Sequence, residues 1–300
     1  MRTNPAVLCV ALLLSGCAAL TQITDIGSQI AVSTGYLSED QAASVRKSSQ
    51  ALEKAFTDIT PEQEYYIGRA VGAGIVTSYR PFNAPDANLY VNKVGQSLAR
   101  VSDLPETFGG YHFLILDSDE INAFAAPGGL IFVSRGLIRC CPDEDALAAV
   151  LAHEIGHVQA KHGLQAIKKS RITDALTIIG TEGARSFGGA ELASLTSAFE
   201  GSISDVTATL VNSGYSRSFE YEADRIAVDL LARIGYDPAA MRVMLEQMQQ
   251  RLTPDSGGFG RTHPAPADRL KQLTSLPDVR RVHQRVAARQ PRFTSALGRI

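Results

Sequence analysis

The chain has no tryptophan, only four cysteines and no excess of charge of one sign. The missing tryptophan decides nothing, but the charge balance does. Lys and Arg number 29 against 31 Asp and Glu, a net charge of −2. Binding nucleic acid needs a basic surface that neutralises phosphates, so the expectation is no nucleic-acid partner. A second long apolar run is also missing. Beyond residues 5–14, no stretch approaches the roughly 20 apolar residues a membrane-crossing helix requires. Residues 181–215 are Gly-rich and too polar for a span, and read as a mobile or amphipathic insertion. No internal repeat is visible. What remains is an ordinary globular composition, 45% hydrophobic over 300 residues. That allows one large domain or two small ones with a buried core.

The N-terminus carries targeting information. Arg2 followed by the apolar residues 5–14 reads as a signal peptide, too short to span a bilayer. It ends in Leu14-Ser15-Gly16-Cys17, which resembles a bacterial lipobox, whose cysteine is acylated and becomes the new N-terminus. Acyl chains bury at about 0.8 kcal/mol per CH₂, so a multiply acylated Cys17 would tether the chain to a membrane. Ala18 in place of Asp points, by resemblance to Gram-negative sorting, to an outer-membrane lipoprotein facing the periplasm. The plain alternative is a secretory signal with an incidental cysteine. The expected organisation is a signal peptide at 1–16, a lipidated tether at 17–37, a folded domain at 38–279 and a basic tail at 280–300. That tail holds six arginines; it reads as a solvated surface, with attraction to anionic headgroups as the sharper alternative. Cys140 and Cys141 are either buried thiols or a strained vicinal disulfide. Thiols are preferred, because adjacent Cα atoms lie about 3.8 Å apart, short of the usual disulfide span.

Ser38-Glu39-Asp40-Gln41 opens one helix, and Thr60-Pro61-Glu62-Gln63 opens another with a capping box and Pro at the first position. A third helix is expected over 86–101. Residues 111–116 and 130–134 read as strands, with 122–125 a short third one. Pro142 precedes a helix over 143–162, whose acidic first turn suits the helix dipole. Helices over 216–234, 238–251 and 264–273 follow, the first of them stopped by Gly235.

The chemistry is concentrated in His153-Glu154-Ile155-Gly156-His157. At 100° per residue the two imidazoles stack one turn apart on one helix face, a spacing that suits one tetrahedral zinc ion. Leu147, Leu151, Ile155 and Val158 fall on the opposite, buried face. Glu154 is displaced sideways, placed to act on a water as the base without holding the ion. Three fixed residues recur by chance in about 4% of chains this size, so the pattern alone is only suggestive. Further on, Glu220 and Asp224 lie four apart on one face of a predicted helix. One carboxylate suits a third ligand and the other suits the free N–H of a metal-bound histidine. Glu222 points about 200° away from Glu220 and reads as a surface charge.

These pieces together, HExxH followed by ExxAD, resemble the M48 metallopeptidases (the Ste24-, HtpX- and Oma1-like enzymes). Asn122-Ala123-Phe124, Pro127-Gly128-Gly129 and Thr262-His263-Pro264 add to the likeness, which covers roughly residues 55–275. Without transmembrane helices the chain looks like the periplasmic lipoprotein branch, and it lacks the tandem helical repeats some of those carry. The resemblance implies an α+β, zincin-like (gluzincin) metallopeptidase domain, mostly helical with a small β-sheet. It implies one Zn²⁺ held by His153, His157 and Glu220, Glu154 as base and Asp224 bonded to a ligand.

Among His263, Tyr215, Arg217 and Tyr221, the first is the expected oxyanion donor. His263 could instead occupy the fourth zinc position, and the plain alternative is a helix-capping histidine. His112, His162 and His283 read as structural or surface residues. Leu130, Ile131, Phe132 and Val133 are expected as an exposed edge strand that pairs with an extended substrate. The expected function is zinc-dependent hydrolysis of peptide bonds in unfolded or damaged envelope proteins. The alternatives are a chaperone or assembly factor for outer-membrane proteins with little proteolysis, and a non-peptidase hydrolase on the same metal.

Overall fold

The computed structural model describes residues 59–166, 214–252, 262–275 and 288–300, with a few positions between 29 and 43 and at 207, 208 and 210. Cys17, most of the helix expected from Ser38 and most of residues 181–215 lie outside the described residues. Residues 60–166 and 203–300 form one compact unit, to which everything below belongs. Among the described residues, no helix is long and apolar enough to cross a membrane.

Helix α1 (Pro61–Ser78) starts as its sequence dictates: Thr60 accepts from the Gln63 amide and Gln63 bonds back to the Thr60 amide. Helix α2 (Pro85–Ala99) leads into strands β1 (His112–Leu116), β2 (Ala123–Ala126) and β3 (Leu130–Ser134). A short helix α3 (Arg135–Ile138) then precedes α4 (Glu144–Gln159), whose N-cap Asp143 accepts from the Ala146 amide. Almost every residue of α4 is buried. Helices α5 (Arg217–Ile234), α6 (Ala240–Arg251), α7 (Pro266–Leu273) and α8 (Arg289–Leu297) complete the unit. Helix α5 ends on Gly235 in the left-handed region, φ 83°, where a Cβ would be strained. Cys140 and Cys141 are buried free thiols.

The sheet corrects one expectation. Its strand order is β1-β3-β2, with β3 parallel to β1 and antiparallel to β2. Leu130, Ile131, Phe132 and Val133 are therefore in the central strand and cannot be the edge that receives a substrate. The sequence bears the mark of this: Ile131, Phe132 and Val133 are consecutive and all buried, as in a strand covered on both faces. The outer edge of β1 is closed by amides from α2. Asn92 accepts from the Phe113 amide (3.0 Å) and donates to its carbonyl (2.6 Å), Asn88 accepts from the Ile115 amide (2.9 Å), and Gln96 donates to the Tyr111 carbonyl (3.3 Å). These three residues sit four apart, so one helical stripe satisfies one strand edge. On the other side of the sheet, the Ser134 amide donates to the Asn122 carbonyl. By antiparallel alternation, the backbone groups of Ala123 and Ala125 then face away from β3. Of the two edges, the one that stands beside α4 is β2.

Helix α4 packs closely on α5 because both are small where they cross. A Cβ on Gly156 would lie 3.0 Å from the Ala223 carbonyl oxygen. The other end of α4 is held by α8, part of the tail read as solvated. Arg289 donates to both oxygens of Asp145 (3.0 Å each) and lies over the Tyr236 ring, while Arg292 bonds both oxygens of the fully buried Glu144.

Candidate metal centre

Helix α4 presents His153 and His157 on one face, their Nε2 atoms 3.1 Å apart. The close crossing brings Glu220 of α5 against them, its oxygens 3.5 Å from each of those nitrogens. His263, just before α7, places Nδ1 2.6 Å from Glu220 Oε2. The four residues are all buried, and each offers one donor atom within 4.8 Å of the others. Nitrogen and carboxylate donors in this number suit zinc. The fit has an independent mark. Glu220 Oε1 is buried and has no hydrogen-bond partner among the described residues. A carboxylate oxygen left so is costly unless a cation completes it. The residues present therefore fit the ion the sequence implies.

The electrostatics of these groups follow from burial and from each other. Burial pushes His157 well below its ordinary range, with Glu220 opposing, so its ring is a neutral donor. Burial and Arg269 also push His153 down, but its bonds to Asp224 and Glu220 prevail and raise it to about 9. Glu220 is raised by burial, yet His263 and His157 outweigh that and hold it well below the carboxylate range. Glu154 is buried beside these residues and is raised by that burial, with His153 and His263 opposing. Such a carboxylate accepts and holds a proton more readily than one in water.

Asp224, one turn beyond Glu220, accepts from His153 Nδ1 at 2.8 Å. Behind it stands Arg269 of α7, fully buried, donating through Nε (2.9 Å) and Nη2 (2.5 Å) to the two Asp224 oxygens. The sequence reading missed Arg269, since an arginine on an amphipathic helix ordinarily faces water. Its only signal was position, six residues after His263. Glu222 keeps the surface place expected of it, and His162, read as structural or surface, takes the buried place of the two. His162 is fully buried, with Nδ1 2.9 Å from His157 Nδ1 and Nε2 3.4 Å from Glu222 Oε2. Helix α4 stops at Gln159 and Lys161 adopts φ 55°, which returns the chain to the His157 face. Tyr215 stacks on His157 (centroids 4.6 Å apart) and donates its hydroxyl to the Ala125 carbonyl at 3.4 Å. Burial and the nearby Glu154 raise it, so it keeps its proton. Arg217, another oxyanion candidate, is exposed.

The fold and the donor cluster define a zincin-like metallopeptidase domain. The profile of Peptidase family M48 matches residues 85–276, and the chain belongs to that family. It is 31% identical over 209 residues to the beta-barrel assembly-enhancing protease of Escherichia coli, covering 69% of this chain and 41% of that protein. It is 29% identical over 215 residues to the mitochondrial metalloendopeptidase OMA1 of Schizosaccharomyces pombe, covering 69% of this chain and 57% of that one. The chain thus spans only about four- to six-tenths of the length of these two relatives.

Proposed function

We propose that this chain is a zinc-dependent endopeptidase that hydrolyses peptide bonds in unfolded or damaged polypeptides of the bacterial envelope. The observation that carries the reading is the buried four-donor cluster with one Glu220 oxygen unsatisfied and Glu154 alongside. His153, His157 and Glu220 would hold the ion, which when bound supplies Lewis acidity that polarises a carbonyl and acidifies water. Glu154 takes the proton from the attacking water and returns it to the leaving amine. Asp224, gripped by Arg269, fixes the His153 ring and its tautomer. Tyr215, protonated, is a hydrogen-bond donor between His157 and β2. A substrate in extended form would pair with the outward backbone groups of Ala123 and Ala125, displacing the Asn122 side-chain oxygen from the Ala123 amide and the Tyr215 hydroxyl from the Ala125 carbonyl. Main-chain pairing tolerates any sequence, which suits unfolded substrates.

His263 has a role of its own in this proposal. Its place among the donors makes it the fourth occupant of the resting centre, and turnover requires it to leave. The name of the Escherichia coli relative joins proteolysis to β-barrel assembly. With the signal peptide and Cys17 in the sequence, it supports an outer-membrane lipoprotein facing the periplasm. Casein digestion tests the whole reading. Wild type should cleave, chelator and Glu154→Gln should abolish cleavage, and His263→Ala should speed it several-fold. Cleavage that survives both chelator and Glu154→Gln refutes the reading. Loss of cleavage in His263→Ala assigns that residue to the oxyanion instead.

A further inference from the structure

The two histidines of the centre are held from behind by chemically different partners. His153 donates to an anion, Asp224. His157 faces another imidazole, His162, Nδ1 to Nδ1 at 2.9 Å. We propose that His162 is a positioning residue for His157, accepting a hydrogen bond from its Nδ1 and thereby fixing which nitrogen of His157 faces the metal. This rests on the metal reading above.

Proton placement decides the direction of that bond. His157 Nε2 lies 3.1 Å from His153 Nε2 and 3.5 Å from Glu220 Oε1, so it is the nitrogen turned toward the other donors. A neutral imidazole has one N–H and one lone pair. A lone pair given at Nε2 leaves the N–H on Nδ1, where it must find an acceptor because it is buried. His162 Nδ1 is that acceptor. Its own N–H then sits on Nε2, directed at the half-exposed Glu222 carboxylate 3.4 Å away. One surface carboxylate therefore sets two tautomers in sequence. Packing confines the His162 ring to this orientation. The ring is fully buried and stacked on Phe219, with centroids 4.2 Å apart and planes 9° from parallel.

Acceptor and packing roles separate by substitution. His162→Asn can place an amide oxygen near the original Nδ1, whereas His162→Phe keeps the stacked ring and has no acceptor. Zinc affinity of the full chain is measured by competition with a chromophoric chelator, and the metal-free melting temperature reports folding. We expect His162→Phe to bind zinc about 10- to 100-fold more weakly and His162→Asn to stay within about five-fold of wild type. Glu222→Ala, on the surface, should weaken binding by about two- to five-fold. The proposal is overturned if His162→Phe binds as wild type does, or if both variants lose affinity equally while melting as wild type. Unchanged affinity in Glu222→Ala overturns the relay to the surface. Failure of wild type to bind zinc refutes the metal reading itself, and this inference with it.

Discussion

Arg269 shows how much of a site can rest on one residue that contacts no substrate. Its guanidinium is fully buried, and its paired bonds to Asp224 hold the carboxylate against His153. Removing one member of a buried pair strands the other, at a cost of about 3–5 kcal/mol. Arg269→Met should therefore destabilise the protein by that order in urea unfolding and weaken zinc binding. Arg269→Lys should not rescue it, because an ammonium cannot make two parallel bonds. A lysine variant as stable as wild type would show that charge alone suffices. At this scale the sequence was partly legible. Helical spacing, which fixes which residues share a face, paired His153 with His157 and Glu220 with Asp224; that the two pairs belong to one centre, with Glu220 as the ligand and Glu154 as the base, was implied only by the resemblance to the M48 enzymes. Arg269 and His162 were not legible, because their places depend on a helix crossing and on a left-handed residue at 161.

At the scale of elements, the caps were legible and the strand order was not. Thr60 and Gly235 mark helix ends by local chemistry, and the structure uses both. No local pattern tells a strand which neighbours it will have, and β3 proved central rather than an edge. Helix α8 was misread for a related reason: Arg289 and Arg292 look like solvent charges until their partners on α4 are known. Those partners make a prediction. Burial raises the Glu144 carboxyl, but bonds from Arg292, Tyr90 and Tyr236 outweigh it and hold it below its ordinary 4.5. A depressed folded value means stability present above about pH 4.5 and lost as pH falls through that lower value. Arg292→Ala removes the first of those bonds, so Glu144 protonates at higher pH. Acid unfolding followed by circular dichroism should shift upward in pH, and an unchanged midpoint would deny α8 this bracing role.

For the whole molecule, the small sheet and the helix pair divide the work. The α4–α5 crossing, made close by Gly156 and Ala223, brings Glu220 to His153 and His157, and His263 joins them from just before α7. Helix α2 closes the sheet's β1 edge, and the β2 edge is the one beside α4. All four donor residues are buried, which strengthens the electrostatic interactions among them. The most direct measurement is the metal content of the purified chain. One zinc per chain in wild type is predicted, lost in His157→Ala and in Glu220→Ala, each still folded by circular dichroism. A wild-type chain that carries no zinc and takes up none when it is added, or variants that retain it fully, would contradict the account.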